Sequence, residues 1–214
     1  MNYRVLGKTG LRVSALGFGC MRLPMKDDKI DDALAFPILH KAVENGVTYF
    51  DSAVFYCNAD SQRAIGDALQ GFRDRIVLST KNSEFRNLDT WWKNLEDSLR
   101  LMRTDHIDLY HFHGLTWEKY ESSLLKGGFL EAMLKARDQG MVRHIAYSCH
   151  DTPENNIRLA ETGHFESCLL QYNLLNRSNA PVVERLSELG MGVTIMGPVG
   201  GGGVAEHSGK IPTS

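Results

Sequence analysis

The sequence lacks the features that mark several large classes of protein. Its four cysteines are widely scattered and form no CxxC pair, which argues against a disulfide framework and favours reduced thiols in a cytoplasm. Its longest apolar runs are too short to cross a bilayer, and its opening residues, MNYRVLGKTG, contain no apolar signal-peptide core. A formal net charge of -2 without a basic stripe argues against nucleic acid or an anionic membrane as a partner.

What the sequence contains is an ordinary globular composition, 43% hydrophobic and 23% charged, with apolar strands that alternate with helices. Within 3–19, short strands are predicted to form a β-hairpin around a turn at Lys8, Thr9 and Gly10, followed by an apolar strand that enters LGFGC. Further strands are predicted at 47–51, 75–81, 107–113, 142–148, 167–173 and 191–197. Helices are predicted at 36–46, 61–71 (capped by Asp60 or Ser61), 89–102, 129–140, 153–163 and 181–190. The buried face of 89–102 is predicted to be Trp92, Leu95, Leu99 and Met102.

This alternation requires a parallel sheet, because parallel neighbours need a crossover and the crossover is a helix. Two architectures compete: an open doubly wound sheet and a (β/α)8 TIM barrel. A doubly wound sheet that binds a dinucleotide usually carries GxGxxG after its first strand, whereas the chain has only GFGCMR. The barrel is therefore favoured, with residues 1–214 as one domain.

Each predicted strand ends in a polar or otherwise unusual residue. In chain order these are Asp51, Lys81, His113, Ser148, Gln171 with Tyr172 and Asn173, and then Met196, Gly197 and Pro198. Because consecutive ends are spaced by about one βα unit, a barrel would bring all of them to a single mouth, where barrel enzymes have their active sites. Tyr56 follows the first of these strand ends by five residues.

Each of these residues also has a simpler structural explanation. Asp51 alone is more often a loop-capping carboxylate, Tyr56 a packed aromatic and Lys81 a surface residue. His113 alone is more often a core histidine, and strand alternation cannot separate it from His111, which points the same way. The functional interpretation rests on the combination of an acid, a phenol, an ammonium and an imidazole at the same end of three consecutive strands.

These four groups suit proton delivery to the oxygen of a carbonyl group as the carbonyl accepts a hydride. A free tyrosine titrates near pH ~10, and a neighbouring lysine ammonium can lower its pKa by ~1–3 units. Asp51 would keep Lys81 charged in a dry pocket, and the histidine would orient the carbonyl oxygen. Since none of these side chains can supply hydride, a nicotinamide cofactor is implied.

Several of these segments resemble the aldo-keto reductase family over essentially the whole chain. The resemblance is carried by YFDSAVFY, VLSTK, LEDSLRLMRTDHIDLYHFHG, VRHIAYSCHD, LQYNLLNR and GVTIMGPVGGG. It implies a catalytic tetrad of Asp51, Tyr56, Lys81 and His113, which selects His113 over His111, with Tyr56 as the proton donor. It also implies a small-molecule carbonyl substrate and NADPH, or else NADH, as the cofactor.

The resemblance further implies which residues contact the cofactor. They are Met21, Arg22, Asp51, Ser148, Cys149, Gln171, Met196, Gly197, Pro198 and Gly200. The chain departs from the family at Cys149, where asparagine is common, and at Met196, where an aromatic residue often stacks under the nicotinamide. The strand-six glutamine of the family falls on Leu169, and Gln171 is expected on a different face of that strand.

The chain is also shorter than a complete barrel, which typically has ~250 residues or more. We expect the last βα unit or units to be absent, leaving about seven strands, so that these 214 residues are a fragment or a truncated product that binds the dinucleotide weakly. SCHD is similar to a branch of the family in which an iron–sulfur tail follows the barrel; no such tail follows in these residues.

Two alternatives to the reductase are a catalytically idle barrel that holds the cofactor as a sensor or regulatory subunit, and a lyase that uses Lys81 as a Schiff base. An ion pair between Lys81 and Asp51 would weaken the lyase hypothesis by keeping the amine charged. No metal site is expected, because His111 and His113 lack a convincing third ligand. The sequence carries no signal for an oligomeric state.

Overall fold

The computed structural model describes residues 1–200 of the chain. The strands are β1 (Tyr3–Val5), β2 (Arg12–Ser14), β3 (Phe18–Gly19), β4 (Met25–Lys26), β5 (Lys29–Ile30), β6 (Tyr49–Asp51), β7 (Val77–Asn82), β8 (Ile107–Phe112), β9 (Val142–Cys149), β10 (Ser167–Gln171) and β11 (Gly192–Met196). The helices are α1 (Asp32–Glu44), α2 (Tyr56–Ala59), α3 (Ser61–Leu69), α4 (Leu88–Leu101), α5 (Trp117–Lys119), α6 (Phe129–Asp138), α7 (Pro153–Glu161) and α8 (Ala180–Glu188).

Seven of the strands form one sheet, in which β3 and β6 to β11 follow one another in chain order. Every neighbouring pair in it is parallel. A doubly wound sheet reverses its strand order at a switch point, whereas this order has no reversal. The sheet is therefore a curled half-barrel, and the prediction of a barrel-type fold with about seven strands is confirmed.

The inner face of this sheet packs on the N-terminal hairpin formed by β1 and β2. One small apolar core joins residues from both, namely Leu6, Val13, Tyr49, Val77, Leu109 and Ala146. The hairpin turn also reaches β11, because the Lys8 N–H donates to the Gly190 carbonyl at 2.8 Å. The hairpin thus lies against the sheet from β6 to β11 and covers the amino ends of these strands. The carboxyl ends of the strands are left at the opposite side of the sheet.

The outer face is covered by helices, and there the buried tryptophan is Trp91. The buried positions of the α4 segment are Trp91, Leu95, Ser98 and Met102, while Trp92 and Leu99 are only partly buried. The predicted face was wrong by one position at two of its four residues. Adjacent tryptophans cannot be ranked by a 3.6-residue period, and Trp91 is selected by its edge contact with Tyr110 of β8, at 5.9 Å between ring centroids.

One predicted helix start and one predicted helix cap were also wrong. α1 begins four residues earlier than predicted, where the Asp31 side chain accepts from the Ala33 N–H at 3.1 Å, so Pro37 lies inside the helix. Pro37 is on the exposed face, and the helix continues despite the missing N–H. Asp60 precedes α3 but does not cap it. No helix within residues 1–200 combines the length and apolar character needed to cross a bilayer.

We expect Gly66→Ala to destabilise the protein. Gly66 lies in α3, where an added Cβ would be 2.1 Å from the Leu101 carbonyl oxygen and 2.8 Å from the Met102 backbone. These backbone atoms cannot rotate away as a flexible side chain could. The free energy of unfolding, measured by urea denaturation, should fall by about 1–3 kcal/mol. Gly71→Ala is the matched control, because no atom lies within 4 Å of its added Cβ. Equal urea midpoints for the two variants would contradict this packing.

Candidate active site

The carboxyl ends of β6, β7 and β8 bring together the acid, the amine and the two histidines that the sequence singled out. In the sheet register Asp51 lies opposite Ser79, and Lys81 lies opposite His111. Since side chains alternate along a strand, the residues at 51, 79, 81 and 111 share the inner face. Their positions on adjacent strands of one sheet fix the spacing of these side chains.

Lys81 and Asp51 form a buried ion pair at the base of the site. Lys81 is fully buried, and its Nζ donates to Asp51 Oδ2 and, at 2.6 Å, to the Ser52 carbonyl oxygen. The second carboxylate oxygen, Asp51 Oδ1, accepts from the Ser79 hydroxyl at 2.7 Å. Burial of a charge is tolerated only when it is paired and hydrogen-bonded, and both conditions are met here.

Tyr56 lies over this pair, with its ring centroid 4.9 Å from Lys81 Nζ. Burial raises the pKa of Tyr56, and the Lys81 charge opposes this without reversing it. The expectation that the lysine would bring the phenol pKa below its ordinary value is therefore wrong for this structure. The physical reason is that loss of water disfavours the phenolate more than one ammonium beside Asp51 favours it.

His113 follows β8 and stands beside Tyr56. Its ring stacks on Phe55, with centroids 4.8 Å apart and planes within 5°, and meets the Tyr56 ring edge-on at 5.8 Å. Burial, assisted by the Lys81 charge, lowers the pKa of His113 to about 3. The imidazole is therefore neutral at physiological pH and has one N–H to donate. Its orientation depends on the stack with Phe55, a contact that the sequence analysis did not foresee.

His111 occupies a different place from His113, deeper in the sheet. It is fully buried, and its Nε2 lies 3.0 Å from the Ser79 hydroxyl oxygen. Burial and the Lys81 charge lower the pKa of His111 to about 4. The two histidines that alternation could not separate thus differ in their neighbours: His113 contacts Tyr56, while His111 contacts Ser79.

The loop that carries Tyr56 has an unusual backbone. Cys57, Asn58 and Ala59 follow it with φ values of 51°, 54° and 64°, a left-handed run of non-glycine residues within α2. Each such residue costs roughly 1–2 kcal/mol relative to the right-handed conformation. The Cys57 thiol faces the Met21 carbonyl oxygen at 3.3 Å, a contact that holds the start of this run.

An arginine cluster holds the far end of the same loop. The Arg63 guanidinium donates to Asp60 at 2.7 and 2.9 Å, to Asp32 at 2.8 and 3.0 Å, and to Asp67 at 2.9 Å. Asp60 also accepts from the Ile30 N–H at 2.9 Å. The cluster therefore ties Asp60, which directly follows the left-handed run, to α1, α3 and β5.

The residues predicted to hold the nicotinamide lie at the same end of the sheet but face different ways. Ser148 is on the inner face, and its hydroxyl accepts from the Gly114 N–H at 2.9 Å. Cys149 is on the outer face, nine-tenths and more buried in the helix–sheet core. Burial raises the pKa of its thiol to about 11. This location weighs against the predicted cofactor contact of Cys149, because its side chain points away from the inner face on which Ser148 lies.

Gln171 and Met196 lie opposite each other at the ends of β10 and β11. The side-chain amide of Gln171 makes no hydrogen bond within residues 1–200 and lies beneath Gly197, whose φ is 66°. An added Cβ on Gly197 would be 2.7 Å from Gln171 Nε2. The expectation that Gln171 and Leu169 occupy different faces is wrong, because residues two apart in a strand share a face.

Four further predicted cofactor residues lie at the two edges of the sheet. They are Met21 and Arg22 in the turn after β3, and Pro198 and Gly200 after β11, all of them exposed. A side-chain amide that no residue within 1–200 engages, a thioether and accessible backbone are a set of groups that fits a nicotinamide carboxamide and its ring. Within residues 1–200, no group of three histidine, cysteine or carboxylate side chains is arranged to hold a metal ion.

Ser79, Phe55 and Arg63 were missed as site residues by the sequence analysis, and His111 was weighed only as the alternative to His113. For two of them a signal was present: Ser79 and His111 lie two positions before Lys81 and His113 on the same strands, and strand alternation puts them under the predicted site. Phe55 and Arg63 lie in or after a loop, where no period constrains direction, so only the fold reveals their contacts.

A model of the Aldo/keto reductase family matches residues 15–213. Among curated proteins, the uncharacterized oxidoreductase YqkF of Bacillus subtilis is 29% identical over 218 residues, which cover 96% of this chain and 67% of YqkF. Among solved structures, the holo form of aldo-keto reductase AKR11C1 from Bacillus halodurans superposes with a TM-score of 0.82 at 29% identity, covering 94% of this chain and 68% of that one.

A second solved structure bears on the fold alone, because it is only 24% identical to this chain. It is the aldo/keto reductase from Klebsiella pneumoniae in complex with NADP and acetate, with a TM-score of 0.77. The superposition covers 93% of this chain and 69% of that one.

We expect Arg63→Gln to lower the free energy of unfolding by roughly 1–3 kcal/mol, because three carboxylates lose charged hydrogen bonds that are partly exposed to solvent. The effect should depend on pH. Arg63 lowers the pKa of Asp60, so its contribution is present above the unfolded value of ~3.9 and is lost as pH falls through the lower folded pKa.

Urea denaturation of both proteins between pH 2.5 and pH 7 tests this. The gap in unfolding free energy should be largest near neutrality and shrink below pH ~4. Arg100→Gln is the control, since the Arg100 side chain is 68% exposed and pairs with Asp97 on the surface of α4. A gap that stays constant down to the lowest pH would show that charge pairing at Asp60 is not its origin.

Proposed function

The chain belongs to the aldo/keto reductase family, and we propose that it reduces an aldehyde or a ketone to an alcohol, with Tyr56 as the proton donor and a nicotinamide dinucleotide as the hydride donor. One observation carries this proposal: Lys81, charged and paired with Asp51, lies 4.9 Å below the ring of Tyr56. NADPH as the preferred cofactor and a cytoplasmic location belong to the same proposal.

The phenol must hold its proton until the substrate needs it. Burial raises the pKa of Tyr56, so the resting residue is protonated at neutral pH. When negative charge develops on the carbonyl oxygen, Tyr56 gives up its proton and becomes a phenolate. The adjacent Lys81 ammonium stabilises that phenolate, and this stabilisation is worth most in a site from which water is excluded.

Asp51 keeps the lysine charged while this happens. Its carboxylate is held by Lys81 on one oxygen and by Ser79 on the other. Without it, a fully buried amine would be favoured in its neutral form, and the phenolate would lose its partner. His113, neutral and stacked on Phe55, can donate one hydrogen bond to the substrate carbonyl oxygen and so direct it toward Tyr56.

The cofactor, when bound, supplies the hydride that no side chain of the site can supply. We propose that Gln171 binds its carboxamide through the free side-chain amide and that Met196 packs on the nicotinamide ring. Ser148 contributes through the loop that it holds at Gly114. The backbone near Met21, Arg22, Gly197, Pro198 and Gly200 would form the remaining border.

The geometry weighs against a lyase that uses Lys81 as a Schiff base. A Schiff base requires a neutral, accessible amine. Lys81 is fully buried and donates to both Asp51 and the Ser52 carbonyl, which favours the charged and non-nucleophilic form. The assay of reduced-cofactor oxidation described below distinguishes the reductase from a catalytically idle barrel.

Tyr56→Phe should reduce kcat for carbonyl reduction by roughly 10²–10⁴-fold, because it removes the proton donor and leaves the ring in place. The assay follows the loss of reduced-cofactor absorbance with a panel of small aldehydes and ketones, and cofactor affinity is measured by fluorescence titration. Affinity should stay close to that of the wild type. Tyr3→Phe, in the N-terminal hairpin, is the control and should retain full activity. Retention of most activity by Tyr56→Phe would rule out its role as donor.

Lys81→Met should lower kcat to a similar extent, because the phenolate loses the charge that stabilises it and Asp51 is left without a counterion. The exposed Lys93→Met serves as the control, since Lys93 pairs with Asp97 on the surface of α4. Circular dichroism spectra of both variants check that each is folded. A folded Lys81→Met protein with wild-type kcat would contradict the electrostatic role.

A further inference from the structure

The hydroxyl of Ser79 lies between the proposed catalytic carboxylate and a histidine that the mechanism does not use. Its oxygen is 2.7 Å from Asp51 Oδ1 and 3.0 Å from His111 Nε2. Ser79 and His111 are both fully buried. The three side chains therefore form a dry, continuous chain of hydrogen bonds that ends beneath the Lys81–Asp51 pair.

The protons in this chain can be assigned by counting donors. Asp51 is ionised in its pair with Lys81, so its oxygens can only accept. The single hydroxyl proton of Ser79 must then point to Asp51, which leaves the Ser79 oxygen as the acceptor for His111. His111 consequently carries its proton on Nε2. Its Nδ1 is buried and makes no hydrogen bond of good geometry within residues 1–200, although the Tyr147 backbone lies near the ring.

We propose that His111 is a positioning residue for the proposed carbonyl reduction, on which this inference rests. By donating to Ser79, His111 fixes the direction of the serine proton, and Ser79 then holds the carboxylate of Asp51 by its free oxygen. With both oxygens engaged, the carboxylate cannot rotate, and Lys81 stays at its distance from the Tyr56 ring. The second histidine thus acts through Ser79 and Asp51 and does not touch substrate.

The role requires a neutral imidazole, and the surroundings of His111 provide for it. The charged and titratable groups near its ring are Lys81, Asp51 and His113. A protonated His111 would place a second positive charge next to Lys81 and compete with it for Asp51. Burial and the Lys81 charge both disfavour that state, in agreement with the lowered pKa of His111.

The tautomer is tested directly by NMR of protein labelled with ¹⁵N histidine, independently of activity. His111→Gln assigns the resonances of His111 by removing them. We expect the neutral Nε2–H form of His111 at every pH between 5 and 8, and a changed Nε2 shift in Ser79→Ala. A proton on Nδ1, or titration of His111 within that range, would overturn the hydrogen-bond chain.

The functional role is tested by steady-state kinetics on His111→Leu and His111→Gln. The leucine variant should lose roughly 10- to 100-fold in kcat with little change in KM, because the reacting groups shift while substrate contacts remain. The glutamine variant carries an N–H near the position of Nε2 and should recover much of the loss, which a merely space-filling role would not explain. His164→Gln, away from the site and packed on Phe165, is the control and should match the wild type.

The outcomes separate this inference from the function on which it rests. An active wild type with wild-type kcat in folded His111→Leu would overturn the positioning role alone. A wild type that reduces no carbonyl in the panel would overturn the proposed function, and the positioning role with it, even if the NMR signature of the Nε2–H tautomer were present. If His111→Leu does not fold, the positioning role is tested by comparing His111→Gln with Ser79→Ala. The positioning role predicts that kcat falls in Ser79→Ala but not in His111→Gln.

Discussion

The structure around the site depends on one constraint, the burial of a lysine ammonium inside a parallel sheet. A buried charge is destabilising unless it is paired and its hydrogen bonds are satisfied. Lys81 meets this condition only because β6 supplies Asp51 and the Ser52 carbonyl oxygen beside it. A slip of one residue in the register between β6 and β7 would turn Lys81 toward the hydrophobic helices and leave Asp51 alone. The ion pair thus requires the register, and the register creates the site.

The same burial sets the protonation state of the groups above the pair. The pKa of Tyr56 is raised and that of His113 is lowered to about 3, so the phenol holds a proton and the imidazole carries no charge. Among the residues that the structure describes, Lys81 is then the charged group beside Tyr56 that favours phenolate. The loop with Tyr56 adopts three left-handed residues, and Arg63 and the Cys57 thiol hold its two ends. The strands thus position Asp51 and Lys81, and the loop positions Tyr56 above them.

Much of this could be predicted from the sequence, and the failures have identifiable causes. The order of strands and helices followed from periodicity, and the convergence of Asp51, Lys81 and the histidines followed from the rule that parallel strand ends share a side. The choice between Trp91 and Trp92 failed because both fit the same period. The small hairpin of β4 and β5 and the helical segment 117–125, which begins with α5, were missed because short elements carry too little periodic signal. The direction of the Tyr56 pKa was wrong because depth of burial is not visible in a sequence.

By itself, the sequence determined the alternation of elements, the parallel sheet and the types of reactive group at its carboxyl ends, since these depend on local pattern and on a short list of chemically distinctive residues. The tertiary structure alone decided which of two histidines stands beside Tyr56, how Ser79 joins His111 to Asp51, and that Cys149 faces the helices. Such contacts join residues far apart in the chain, 28 positions for Asp51 and Ser79 and 32 for Ser79 and His111. Their distances follow from register, burial and loop conformation, which emerge only when the whole sheet has closed on its hairpin.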